Sequence, residues 1–238
     1  MHLIRDTGRP ILTIWALLLL TGLVSLVLAR WSLAFVSFLT LGLSLTPPLL
    51  ASRLSLTLPV PFLFATTLFF IGSIFLGEAF DFYERVWWWD LWLHAFSAVG
   101  FGLSGFLFVL MLFEGDRFAA PPGALAFITF CVAITIGALW EIFEFVMDLS
   151  FGLNMQKSGL VDTMGDLIID AVGASIASAT GYLYLVRSPT WLLGDALSDF
   201  IAKNQRLYRK SRARLRRGAG LTGPRDDKRA DAPRDDTD

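Results

Sequence analysis

Cysteine is all but missing from this chain: its 238 residues include one, Cys131, set in an apolar run. That excludes an intramolecular disulfide framework and a cysteine-rich zinc site, and Cys131 itself reads as a small buried hydrophobe. Histidine is nearly as scarce, with two residues, and His94 is the only one beyond the N-terminus. No G-x-S-x-G motif occurs, so a catalytic reading is left with carboxylate or metal chemistry. There is no clear internal repeat, and no long polar stretch before Arg187. What fills the chain instead is apolar: 55% hydrophobic residues and a mean hydropathy of +0.59, in blocks about the length of a bilayer span. The formal net charge of −1 hides an asymmetry, with acids gathered between Glu78 and Asp170 and bases crowding the segment after Arg187.

These blocks predict an all-α, polytopic transmembrane helical bundle. Six spans are expected, at about residues 10–29, 31–50, 59–77, 91–113, 124–147 and 164–186. Val27 and Ala29 would suit a signal-peptide cleavage site, but the first run is long and other spans follow, so it is read as uncleaved. Pro47 and Pro48 are expected to break or end the second span. The tryptophans at 87–89 suit the headgroup level of a bilayer. An even number of spans puts both termini on one side. Arg5, Arg9, Arg53, Arg117 and the basic tail make that side cytoplasmic, against Arg30, Arg85 and Lys157 opposite. In the segment 187–217, Leu193, Leu197, Phe200, Ile201 and Tyr208 form one stripe on a basic helix. Such a helix is suited to anionic lipid of the inner leaflet, or simply to solvent. It adjoins a span and so does not argue for nucleic acid. Residues 218–238 have too few apolar groups to fold and are expected to be disordered.

The polar residues are concentrated around one loop. Glu141, Glu144 and Asp148 close the fifth span at spacing i, i+3, i+7, and Asp162, Asp166 and Asp170 open the sixth at i, i+4, i+8. Each trio therefore shares one helix face. A charged side chain inside a span costs roughly 2.5–3.5 kcal/mol, so these groups need partners or a wet cavity. Counting at 1.5 Å per residue puts Glu141 and Asp170 both about 10 Å inside, where they can face each other. Asp90 and His94 stand one turn apart on the fourth span, near the same level, and Glu78 and Asp81 close the third. Such a set either shares protons or binds a cation.

For the cation, the expected ligands are Asp90, His94, Glu141, Asp166 and Asp170. A divalent ion such as Mg, Mn or Zn would suit them, with calcium and iron also compatible with oxygen and imidazole donors. His94, Glu141 and Glu144 are the candidate acid–base residues. The alternative is structural: acids bonded among themselves and to Arg85, Lys157, Asn154 and Gln156. On the sixth span Gly173, Ala177 and Gly181 form a small-residue face for packing within the bundle or in a homo-oligomer. Three functions stay open: a hydrolase or transferase acting on a lipid-linked substrate, a cation- or proton-coupled transporter, and a non-catalytic membrane scaffold.

Three segments carry a family likeness: FYERVWWWDLWLHAFSAVGFG, WEIFEFVMD and NMQKSGLVDTMGDLIIDAVGA. Together they resemble the bacterial inner-membrane YjdF-like proteins, over about residues 76–184. More distantly, the order D…H, then E, then D…D…G resembles that of VanZ-like membrane proteins, named for teicoplanin resistance. The matching positions are Asp90, His94, Glu141, Glu144, Asp162, Asp166, Asp170 and Gly173, while Gly165 stands where the family usually carries an aromatic residue. The resemblance implies a multi-pass bundle in a bacterial inner (plasma) membrane and a shared polar centre, and supplies no substrate.

Overall fold

A computed structural model describes residues 8–112, 121–187 and 192–204. Every regular element among them is helical: α1 (Arg9–Val27), α2 (Trp31–Leu54), α3 (Val60–Phe70), a π-helical turn (Ile71–Leu76), α4 (Gly77–Ala79), α5 (Phe82–Arg85), α6 (Trp89–Leu112), α7 (Pro122–Phe151), α8 (Leu160–Val186) and α9 (Leu192–Lys203). The loop holding Arg117, the basic stretch with Tyr208 that follows residue 204, and the segment 218–238 lie outside the described residues.

Five stretches are long and apolar enough to cross a membrane: Arg9–Val27, Trp31–Leu54, Val60–Ala79, Trp89–Met111 and Pro122–Phe151. Pro10 and Pro122 sit in the first turns of α1 and α7, where a missing N–H costs nothing. The expected stop at Pro47 and Pro48 is corrected: α2 runs through both and ends at Leu54, before the left-handed Ser55. Proline's fixed φ is itself helical, and a helix in hydrocarbon has no water to bond a broken turn, so continuing is the cheaper course there. α8 is not among the five, and it carries three aspartates in its first half. It is nonetheless 27 residues long and joins the same two ends of the bundle as α7.

Those ends can be told apart by contacts. At one, Gly8 approaches Val60, Asn204 bonds to Thr57, and Leu110, Leu125, Leu185 and Leu197 share one buried cluster with Phe106 and Val109. The start of α1, the α2–α3 turn, the end of α6, the start of α7 and the end of α8 therefore meet there. At the other end, Lys157 of the α7–α8 loop reaches Glu84 of α5. Trp31, Trp87, Trp88 and Trp92 are all exposed around this second end, as an aromatic belt at a membrane surface requires. Successive long helices alternate in direction, and α6, α7 and α8 pack as a tight trio.

The small-residue face of α8 is consumed inside that trio. A Cβ on Gly173 would lie 2.8 Å from the Ala95 carbonyl oxygen and from the Ala98 methyl, Ala177 packs on Gly102, and Gly181 receives the Phe106 ring. Gly173, Ala177 and Gly181 are all buried against α6. Of the two uses expected for this face, packing within the bundle is the one seen: without side chains to hold it off, α6 covers the stripe.

The C-terminal helix uses part of its apolar stripe within the bundle: Leu197 is buried in the cluster at the base of the trio and Ile201 packs against it. Asn204 completes the docking. Its Oδ1 accepts the Thr57 N–H at 2.7 Å, and its Nδ2 donates to the carbonyls of Thr57 and Phe200, each at 2.8 Å. Asn204→Ala removes three bonds at a buried position, leaving a backbone N–H unpaired. A loss of about 1–3 kcal/mol is expected, read as a lowered unfolding temperature in detergent.

Candidate functional site

The α6–α7–α8 trio carries the polar centre. α7 stops where Gly152 takes a left-handed conformation (φ 66°) and its N–H caps the Asp148 carbonyl at 2.9 Å; Gly159 (φ 64°) precedes α8. Both helices reach further than expected, so Glu141 and Asp170 each lie ten residues from the loop, about 15 Å along the axis rather than about 10 Å. The face-to-face arrangement itself holds.

His94 sits among the carboxylates. Its Nδ1 lies 3.3 and 3.4 Å from the two oxygens of Asp170, and its Nε2 lies 3.7 Å from Glu141 Oε1 and 3.9 Å from Asp90 Oδ1. Candidate ligand atoms of Asp90, His94 and Asp166 all fall within 4.8 Å of one another. Asp166 and Asp170 are each 1% exposed, Glu141 4% and His94 6%, whereas the Asp90 side chain keeps 25% of its surface open. The centre is sealed except beside Asp90.

Two carboxylates in it are short of partners. Both oxygens of Glu141 and Oδ2 of Asp166 are buried without a hydrogen bond. The Thr163 hydroxyl lies close enough to act on Glu141, but without bonding geometry, and it takes the Gln156 amide at 2.6 Å. Buried oxygens with open lone pairs are costly and uncommon. The other expected residues have other tasks. Glu144 accepts the Trp140 indole N–H at 2.8 Å, Asp148 accepts the N–H groups of Met155 and Gln156 at 2.7 and 2.9 Å, and Asp162 accepts that of Lys157 at 3.0 Å. Glu78 and Asp81 are exposed and outside the centre.

The bases expected as structural partners do not reach the buried acids. Arg85 pairs with Asp81 at 3.6 Å, and Lys157 with Glu84 at 2.8 Å while lying over the Tyr83 ring. Side-chain reach explains this: the loop carries Lys157 outward, ten or more residues from the level of Glu141. Tyr83 braces the same corner, its hydroxyl 3.1 Å from that of Ser73 and its ring over Gly77. Burial pushes its phenol above the usual range, so it stays protonated and available to bond.

One contributor escaped the sequence reading. Gly137 stands one turn before Glu141 on α7, and a side chain there would overlap the Asp170 carboxylate. A glycine four residues from a buried acid within a span was the available signal.

Residues 11–187 match the model of a family described as predicted membrane protein (DUF2238). The chain belongs to this family. The matched stretch takes in α1 to α8 and every residue of the polar centre. An uncharacterized protein of Thermotoga maritima is 33% identical over 112 residues, which is 45% of this chain and 57% of that protein. The chain thus aligns with little more than half the length of that relative. No solved structure matches.

Proposed function

We propose that this family member is a six-span bacterial inner-membrane enzyme, both termini cytoplasmic, that holds a divalent cation between Asp90, His94 and Asp166. With it, the protein hydrolyses or transfers a group of a lipid-linked substrate at the outer face. The observation that carries this is Glu141: a carboxylate 4% exposed, neither oxygen bonded, beside three ligand-type side chains already gathered within 4.8 Å. Open lone pairs at that depth cost free energy unless a positive charge fills the space. A cation does so, and the adjacent Glu141 is placed as the base for an attacking water or hydroxyl. Asp90, the exposed member, marks the side from which substrate arrives.

Membership in the family agrees with the likeness to YjdF-like proteins, and the alternation of the long helices supports counting α8 as the sixth span. Arg9, Arg53, Arg187 and Lys203 gather at the end opposite the centre, which favours the cytoplasmic assignment of that end. A transporter is less well supported. Toward that end the hydroxyls of Thr129, Ser178 and Thr180 are each spent on backbone carbonyls, and beyond them Phe106, Leu110, Leu125, Leu185 and Leu197 form an apolar plug. Among the described residues a permeating ion would find no ligands there.

The test is the metal content of the detergent-purified protein beside Asp90→Asn/Asp166→Asn, followed by both proteins in vesicles of bacterial polar lipid extract. One metal per chain, absent from the folded double variant, with a lipid consumed only by the metal-loaded wild type, is the expected outcome. Metal-dependent proton or cation flux without lipid turnover would replace the enzyme with a transporter. No metal in either protein would sink the cation site.

A further inference from the structure

We infer that Asp170 is a positioning residue and not a ligand: it holds the proton of His94 Nδ1, with Gly137 as its seat, so that Nε2 faces the cation as a nitrogen donor. The site would therefore select a metal that accepts imidazole, of the zinc or iron class, over magnesium and calcium. This rests on the cation proposed above and specifies its chemistry.

Both oxygens of Asp170 face the same ring nitrogen, at 3.3 and 3.4 Å, and these are its hydrogen bonds among the described residues. The other ring nitrogen looks toward Glu141 and Asp90. A metal-bound imidazole is neutral and carries one N–H; with a carboxylate on Nδ1, the proton resides there and Nε2 is left to donate its lone pair. A ligating histidine oriented by a carboxylate on its other nitrogen is a recurring arrangement at metal centres, and it raises the basicity of the ligand.

Three helices contribute to this arrangement. α6 supplies the ring and α8 the carboxylate, while α7 supplies a gap: a Cβ on Gly137 would overlap Asp170 Oδ2 and come within 2.8 Å of its Cγ. Asp170 is pressed against a bare stretch of helix backbone, which fixes where its oxygens lie. Burial at 1% exposure removes water as a competing donor. The donor set then facing the cation is one nitrogen with the carboxylates of Asp90 and Asp166. Magnesium and calcium prefer oxygen ligands alone, whereas imidazole suits zinc, iron and other transition ions.

Two variants test this in the full chain in detergent, with metal ions alone as probes. Asp170→Asn replaces the carboxylate by an amide; Gly137→Ala alters no charge but displaces the carboxylate. Each should weaken zinc binding about 10–100-fold and shrink the preference for zinc over magnesium, without loss of helix content. Nitrogen-15 spectra of labelled histidine, taken on His2→Ala so that one imidazole remains, should show Nδ1 protonated and Nε2 bound to the metal in the zinc-loaded protein. Zinc bound equally tightly by wild type and both variants, or zinc found on Nδ1 in place of Nε2, would overturn the assignment while leaving the cation site standing. A wild type that binds neither zinc nor magnesium would instead remove the cation site, and with it the selectivity proposed here.

Discussion

Asp166→Asn is expected to unfold at a higher temperature than the wild type in chelator and at a lower one in excess divalent metal. The reversal follows from what Asp166 faces. One of its oxygens is buried with no bonding partner, and its carboxylate shares a cluster with Asp90 and His94. Without a cation, the fold bears an unmatched carboxylate among carboxylates, and an amide of the same shape relieves part of that, by about 1–3 kcal/mol. With a cation at about a thousand times its dissociation constant, the wild type gains about 4.1 kcal/mol that the variant forgoes, more than the relief the amide brings. Acids serving as structural glue would make the variant less stable in both conditions. Thermal scans with and without chelator therefore separate the two directly.

Gly173→Ala and Gly100→Ala should move stability in opposite directions. Both are helical glycines in the trio, and in an open helix the change to alanine gains about 0.5–1 kcal/mol because alanine loses less backbone entropy. Gly100 has nothing within 4 Å of a new methyl, so Gly100→Ala should stabilise. At Gly173 the methyl meets the Ala95 carbonyl oxygen and the Ala98 methyl, both at 2.8 Å. Backbone cannot yield as a flexible side chain does, so α8 must shift off α6, a cost of about 1–3 kcal/mol. Asp166 and Asp170, on the same helix, move with it, so metal binding should fall together with the unfolding temperature. Equal unfolding temperatures for the two variants would mean that α6 and α8 are less closely joined than described.

The spans, their order and the polar end of the bundle were legible in the chain because a membrane imposes long apolar runs and penalises every charge within them. For the same reason Asp90, His94, Glu141, Asp166 and Asp170 stood out: acids at helical spacing inside apolar runs have few readings. Division of labour among them was not legible. Asp148, Glu144 and Asp162 share faces with the core residues, yet they bond to the turn, to Trp140 and to Lys157, because spacing records a face and not a depth or a partner. Arg85 and Lys157 seemed available as counter-ions, and only folding showed that their side chains stop at the rim.

By itself the sequence determined an all-helical membrane bundle, its polar end, and the identity of the buried acids and the histidine, all of which follow from local composition and period. Tertiary structure alone decided which residues meet. It put Asp170 on one ring nitrogen of His94 and Glu141 and Asp90 on the other, left Glu141 without a hydrogen bond, covered the glycine stripe with α6, and docked α9 through Asn204. Such pairings join residues up to 147 positions apart, as Thr57 and Asn204 are. They depend on helix rotation and approach, which packing sets and no local period encodes.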